Sequence, residues 1–234
     1  MKLLFYDLET SGLDFNRNAI LQIAAILIDI DVEGSFSVID AINLKMRPSP
    51  EKIIDKGALN VNGLTMDEIE TYPDQEEAFA KFIAFLDRNV ERFKGAGRLK
   101  LSGYNNVHFD ADFLSRWFID NGNDGFYSYF YIDQIDVMCE ASRYLLYYRD
   151  GVNNMKLGNV AKVLGIKTDD TALHDAFYDI KLTIKVFRKI ISAGTPFMPF
   201  DQDTAIRIFT EQQEEKVKLR KKKEEAELAS SLFE

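Results

Sequence analysis

The chain has 234 residues, of which 46% are hydrophobic and 29% charged, and its formal net charge at pH 7 is -9. This length and balance are typical of a globular protein with a full core, and they exclude a wholly disordered or collagen-like chain. The negative charge argues against broad non-specific nucleic-acid binding, although it is compatible with a local basic track or with an acidic cleft that cations neutralise.

The first predicted elements are three strands, at residues 3–8, 20–30 and 36–46, with polar turn signals between them. Short connections between consecutive strands predict an antiparallel meander. Apolar residues at helical spacing then predict helices at 75–90, 111–119, 137–147, 157–164 and 176–191, with further strands at 99–104 and 129–135. A meander followed by alternating strands and helices predicts an α/β fold, with a mixed sheet flanked by helices.

The C-terminal part differs in composition from the rest. Gly194 to Pro196 ends the predicted domain, at residues 1–195, and residues 196–234 are expected to form a charged, helical tail. Six of the eight residues from Lys216 to Lys223 are basic. A solvated helix with i,i+4 ion pairs, a nucleic-acid contact and a partner-docking helix are all compatible with this pattern.

Several features bear on the compartment. The longest apolar stretch, at residues 20–30, is about half as long as a membrane-spanning helix, so no membrane association is expected. The N-terminus reaches Asp7 too soon for a secretory signal. The single cysteine, Cys139, cannot form an internal disulfide. These features favour a reducing, cytoplasmic setting.

A pair of acids ends the first predicted strand. Asp7 and Glu9 are two positions apart, and because side chains alternate along a strand, both carboxylates project to the same side. Neighbouring carboxylates repel each other unless positive charge lies between them, and Mg²⁺ or Mn²⁺ suits such hard oxygen ligands. The alternative is a polar strand end with two solvated acids.

Further titratable residues lie at predicted helix starts. Asp110 stands where a loop turns into a helix, a position that an N-capping aspartate would also occupy. Asp112 competes with it, but on a helix the two side chains point roughly 200° apart and would not serve one site. His174 and Asp179 would be separated by about 140° within one helix, so they converge only if His174 lies in the preceding loop. There a neutral imidazole could accept a proton, and a surface or capping role is the alternative.

In this order, these segments resemble the DEDDh family of 3′-to-5′ exonucleases, which includes the epsilon proofreading subunit of bacterial replicative polymerases, ribonuclease T and oligoribonuclease. The family motifs Asp-x-Glu-Thr, Asn-x-x-x-Phe-Asp-x-x-Phe-Leu and His-x-Ala-x-x-Asp are matched at residues 7–10, 105–114 and 174–179. This register selects Asp110 over Asp112, and Asp179 over Asp175. Weaker matches at residues 59–65 and 156–166 extend the resemblance over residues 1–190.

The resemblance implies a ribonuclease H-like fold with a five-stranded mixed sheet. It implies that four acids hold two divalent metal ions, Mg²⁺ with Mn²⁺ as a substitute: Asp7, Glu9, Asp110 and Asp179. His174 would take the proton of the attacking water, and hydrolysis from the 3′ end would release nucleoside 5′-monophosphates. Such a site is expected to bind metal weakly until a substrate phosphate completes the coordination.

The resemblance also places residues at the substrate. They are the backbone of Thr10, Ser11 and Gly12, together with Val61, Asn62 and Phe109. Phe109 either stacks on a terminal base or belongs to the core. The sequence departs from the family at Tyr104, where many members carry histidine, and at Asn62, where the epsilon subunits carry histidine. Neither position holds metal in the family, but both bear on how the substrate end is held.

The motifs leave the substrate and the partners open. Single-stranded DNA 3′ ends are the favoured substrate, with RNA or short oligoribonucleotides as the alternative, because sugar choice depends on contacts to the 2′-hydroxyl. A non-catalytic nucleic-acid-binding or polymerase-associated module on the same fold is the rival of another class. Residues 229–233 faintly resemble the peptides that bind bacterial sliding clamps, so the tail is a candidate for docking a polymerase or a clamp.

Overall fold

A five-stranded mixed sheet lies at the centre of the computed structural model, which describes residues 1–31, 34–93, 97–146, 152–171, 173 and 175–193. Its strands are β1 (Lys2–Thr10), β2 (Ile20–Ile30), β3 (Phe36–Lys45), β4 (Lys100–Gly103) and β5 (Ile135–Asp136). The strand order is β3-β2-β1-β4-β5. The first three strands pair antiparallel, whereas β4 and β5 run parallel to β1, which confirms the predicted mixed sheet.

Helices cover both faces of the sheet. They are α1 (Lys56–Asn62), α2 (Met66–Glu70), α3 (Gln75–Asn89), α4 (Asp110–Asp120), α5 (Phe126–Tyr129), α6 (Val137–Tyr144), α7 (Leu157–Val163) and α8 (Ala176–Ser192). Apolar residues of α3, α4 and α5 form the core on one face, and those of α6, α7 and α8 form the core on the other. In the described part of the chain, no helix is long and apolar enough to cross a membrane.

The central strand β1 supplies side chains to both cores in alternation. Leu4, Tyr6 and Leu8 face α3, α4 and α5, whereas Leu3 and Phe5 face the α6, α7 and α8 layer. Because side chains alternate along a strand, Asp7 and Glu9 continue the row of Leu3 and Phe5. The two acids therefore emerge on the face that α8 covers.

The short strand β4 opens space beside the end of β1. Its register with β1 runs from Leu3 to Phe5 only, and β1 continues to Thr10. Since β1, β4 and β5 are parallel, their C-terminal ends lie at the same edge of the sheet. The chain leaves this edge from β4 towards α4 and from β5 into α6.

One predicted strand is wrong over most of its length. Residues 129–135 were expected to form a strand, but the structure has helix α5 followed by a two-residue β5. The aromatic residues Tyr129 and Phe130, which favour a strand, instead pack against α4: the Phe118 ring lies 6.1 Å from each of their rings. The domain boundary at residue 195 stays a prediction, because the tail lies outside the described residues.

Candidate functional site

Four acidic side chains line one cleft at the edge where β1, β4 and β5 end. Asp7 and Glu9 come from β1, Asp110 opens α4, and Asp179 lies in the first turn of α8. The cleft has a volume of about 650 Å³. Helices from opposite faces of the sheet thus bring their first turns to the end of the same strand.

The loop before α4 holds Asp110 in place through backbone contacts. Asn105 adopts a left-handed conformation with φ of 60°, and its N–H donates to Oδ1 of Asp136 at 3.0 Å. The carbonyl of the buried Asn106 accepts the N–H of Ala111 at 3.0 Å. Left-handed backbone is uncommon outside glycine, and asparagine tolerates it better than most residues. These contacts of the loop therefore place Asp110, which is 6% exposed, at the cleft.

The electrostatics of the cleft oppose ionisation of its acids. Burial, followed by repulsion from Asp179, Asp110 and Asp175, raises the pKa of Glu9 to about 8. Burial raises the pKa of Asp110 to about 7, although the N–H groups of Asp110 and Leu8 act in the opposite direction. Burial and the neighbouring acids raise the pKa of Asp7 well above its usual value. Asp7, Glu9 and Asp110 are therefore harder to ionise here than in water.

A divalent cation suits this donor set. Carboxylate oxygens are the ligands that Mg²⁺ and Mn²⁺ prefer, and positive charge would remove the repulsion that raises these pKa values. Among the described residues, no three His, Cys, Asp or Glu side chains already stand in a metal-binding arrangement. The four acids nevertheless line one cleft.

The competing acids take other roles. Asp112 is exposed on α4. Asp175 precedes α8 and accepts the N–H of Tyr178 at 2.8 Å, as an N-cap does. His174 lies outside the described residues, and α8 begins two positions later, at Ala176.

An apolar pocket of about 430 Å³ adjoins the acidic cleft. Five of the six residues predicted at the substrate line it: Thr10, Gly12, Val61, Asn62 and Phe109. Phe109 lines both cavities, and its ring lies 5.0 Å from that of Phe113. One side of the half-buried Phe109 ring therefore packs on the core, while the other is available to a ligand. The two interpretations, a core residue and a surface for a terminal base, each describe one side of the ring.

Ser11, the sixth residue predicted at the substrate, is placed in the interior instead. It is fully buried, and its N–H donates to the carbonyl of Ala19 at 2.8 Å. Its hydroxyl donates to the carbonyl of Ile53 at 2.7 Å and accepts the N–H of Ala19 at 2.9 Å. Because these groups are already bonded within the protein, the expectation that the Ser11 amide meets substrate is corrected: Ser11 joins two loops.

The two departures from the family pattern both make defined contacts. Nδ2 of Asn62 donates to the carbonyl of Thr10 at 3.0 Å. The Tyr104 hydroxyl, on the rim of the acidic cleft, donates to the carbonyl of Met155 at 2.5 Å. Each contact joins a cavity wall to a separate segment of the chain.

Several residues that line the cavities were not predicted as site residues from the sequence, among them Leu13 and Lys156. Leu13 lines the apolar pocket although it is 84% exposed. An apolar residue directly after Gly12, in the loop that follows the paired acids, is a signal that could have identified it. Lys156 lines the acidic cleft; it begins the family match at residues 156–166, but that match gave it no role at the site.

The chain matches the RNase T family model, described as exonuclease, over residues 4–187. It is 24% identical over 195 residues to a ribonuclease T of Buchnera aphidicola subsp. Schizaphis graminum, covering 80% of this chain and 81% of that protein. It is 25% identical over 182 residues to a PolC-type DNA polymerase III of Mycoplasmopsis pulmonis. That match covers 78% of this chain but 11% of the polymerase.

Solved structures share the fold. An exonuclease I structure superposes with a TM-score of 0.65 at 23% identity, covering 82% of this chain and 41% of that chain. E. coli exonuclease I in complex with a dT13 oligonucleotide gives a TM-score of 0.64 at 23% identity, covering 83% and 41%. These matches show the ribonuclease H-like arrangement of sheet and helices, and the chain spans less than half of exonuclease I.

Proposed function

Since the chain belongs to the RNase T family of exonucleases, as the motifs predicted, we propose that it hydrolyses phosphodiesters from the 3′ end of single-stranded nucleic acid. The observation that carries this proposal is the convergence of four acids on one cleft beside an apolar pocket. The acids are Asp7, Glu9, Asp110 and Asp179. The products are nucleoside 5′-monophosphates.

The four acids would hold two divalent ions, with Mg²⁺ as the natural metal and Mn²⁺ as a substitute. When bound, such ions supply the charge that activates a water and stabilises the departing 3′ oxygen. The protein contributes their placement: β1 fixes Asp7 and Glu9 on one side, and the first turns of α4 and α8 bring Asp110 and Asp179 to them. The raised pKa values of Glu9 and Asp110 are the electrostatic support for a cation at this position.

The apolar pocket would hold the terminal nucleoside. The free side of Phe109 offers a surface on which a base can stack, and stacking contributes about 1–3 kcal/mol with any base. Thr10 and Gly12 present backbone beside it, and Asn62 fixes the carbonyl of Thr10. The site would therefore accept every base at the 3′ end.

His174 would accept the proton of the attacking water. A neutral imidazole is suited to this task near pH 7. In the chain it stands one position before Asp175, which caps the helix that carries Asp179.

DNA is the favoured substrate, and the likeness to an exonuclease I bound to a dT13 oligonucleotide supports this choice. The alternative, RNA or a short oligoribonucleotide, is supported by the relatives that are named ribonuclease T. A polymerase or sliding-clamp partner stays a proposal for the tail, whose residues 229–233 lie outside the described part of the chain.

The deciding experiment incubates 5′-labelled single strands of DNA and RNA with the protein, in Mg²⁺ or in EDTA. We expect a Mg²⁺-dependent ladder that shortens from the 3′ end, with DNA degraded faster. Asp179→Ala and Asp110→Asn should abolish the ladder, and Asp112→Asn, an exposed position on the same helix as Asp110, should leave it intact. Absence of degradation with binding retained would instead favour the non-catalytic module, and faster loss of RNA would favour the ribonuclease.

A further inference from the structure

Lys156 brings positive charge to the acidic cleft. Among the described residues that line this cleft, it is the only lysine or arginine, and four carboxylates line the same cleft. Its side chain is exposed, and within the described chain its ammonium group forms no ion pair with an acid. A positively charged side chain in an acidic cleft is available to meet a phosphate group of a substrate.

The backbone around Lys156 is held on both sides. The Tyr104 hydroxyl donates to the carbonyl of Met155 at 2.5 Å, which joins this segment to the loop that delivers Asp110. The N–H of Lys156 donates to Oδ1 of Asn154 at 3.0 Å, and its carbonyl accepts the N–H of Val160 at 3.0 Å. The position of the Cα atom is therefore fixed by contacts, and the long side chain remains free to reach a ligand.

The two cavities define a direction for the substrate. Leu8, Glu9 and Phe109 line both cavities, whereas Lys156 lines the acidic cleft and not the apolar pocket. With the terminal nucleoside in the apolar pocket and the reacting phosphate at the acids, the next nucleotide would lie in the remaining part of the acidic cleft, whose lining includes Lys156.

Resting on the proposed function, we propose that Lys156 binds the phosphodiester immediately 5′ of the scissile one. Among the described residues that line the cleft, Lys156 is the only lysine or arginine that can offer such a phosphate a positive charge. Lysine binds phosphate as a point charge and tolerates a flexible strand. Substrates with two or more phosphodiesters would thereby be preferred over a dinucleotide.

The test compares the first cleavage of dTpdT, which has one phosphodiester, with that of 5′-hydroxyl dT4, which has three. We expect Lys156→Ala to lower kcat/KM for dT4 about tenfold, through KM, and to leave dTpdT nearly unchanged. The slope of log(kcat/KM) against log[salt] for dT4 should fall by about 0.7, the contribution of one phosphate contact on a single strand. Lys156→Arg should restore most of the loss.

Lys162→Ala is the matched control, because Lys162 lies on α7, pairs with Asp170 and is not among the residues that line the cleft. Equal losses on dTpdT and dT4, or no loss on either, would overturn the assignment of Lys156. If the wild-type protein hydrolyses neither substrate, the proposed function is wrong. A binding measurement then tests the contact between Lys156 and the phosphate separately. In that case, fluorescence anisotropy of labelled dT4 in Ca²⁺ should still show weaker binding by Lys156→Ala, and unchanged binding would refute the contact.

Discussion

Nδ2 of Asn62 donates to the carbonyl of Thr10 at 3.0 Å, and this bond fastens the last turn of α1 to the end of the strand that carries Asp7 and Glu9. Both residues line the apolar pocket. The width of that pocket therefore depends on a contact between segments that are far apart in the chain.

Removal of this contact should weaken substrate binding more than it slows the reaction. A hydrogen bond of this kind contributes about 1 kcal/mol, so Asn62→Ala is expected to raise KM about fivefold with little change in kcat. Asn60→Ala changes an exposed residue on the same helix and serves as the control. A fall in kcat at unchanged KM would show that the contact does not set the shape of the pocket.

Two glycines on the apolar pocket should respond differently to the same substitution. A Cβ atom at Gly12 would overlap with the side chains of Asp55 and Asn18, whereas a Cβ atom at Gly57 would meet no described atom within 4 Å. Gly12→Ala should therefore destabilise the fold by about 1–3 kcal/mol. Gly57→Ala, on helix α1, should be neutral or slightly stabilising. Urea denaturation of both variants measures the difference, and equal stabilities would contradict the predicted overlap.

The acidic cleft should make the metal-free protein less stable as the pH rises. The pKa of Glu9 is raised from 4.5 to about 8, so the folded state holds this proton more tightly than the unfolded chain does. The resulting stabilisation is complete below pH 4.5 and is lost as the pH rises through about 8. In EDTA, the melting temperature should fall between about pH 5 and pH 8.

The variant Glu9→Gln tests the origin of this fall, because it removes the titrating group. Its melting temperature should depend less on pH and should exceed that of the wild type at about pH 8. Glu76→Gln, at an exposed position on α3, is the control. An identical pH dependence in the wild type and Glu9→Gln would exclude Glu9 as a source of the instability.

Metal binding should be coupled to nucleotide binding. The acids repel one another and, within the described residues, do not form a ready-made metal cage. A phosphate that adds ligands would complete the coordination, so the affinity for Mn²⁺ should rise when thymidine 5′-monophosphate is present. By the same linkage, Mn²⁺ should tighten nucleotide binding by an equal factor. Calorimetry in both orders measures the coupling, and independent binding of the two would disprove it.

Local patterns in the sequence were sufficient for much of the fold and for the acids. Alternation along β1 places Asp7 and Glu9 on one face whatever surrounds the strand. Apolar spacing identified α3, α4, α6 and α8 to within a few residues, because their buried faces follow the helical period. Helix α1 has no buried residue and α2 has only five residues, so neither carries such a period.

The remaining features of the fold and of the site depend on contacts between residues that are far apart in the chain. Aromatic residues within the predicted strand at 129–135 pack against Phe118 of α4 instead, and Ser11 forms hydrogen bonds to Ala19 and Ile53 within the protein. The sequence by itself determined which acids are present and which side of their own element they face, since that depends on backbone geometry alone. Only the tertiary structure decided that β4 stops short of the end of β1, that a cleft opens there, and that Lys156 lines the same cleft as the acids. Those properties depend on contacts between residues that are distant in the chain, and no local period encodes them.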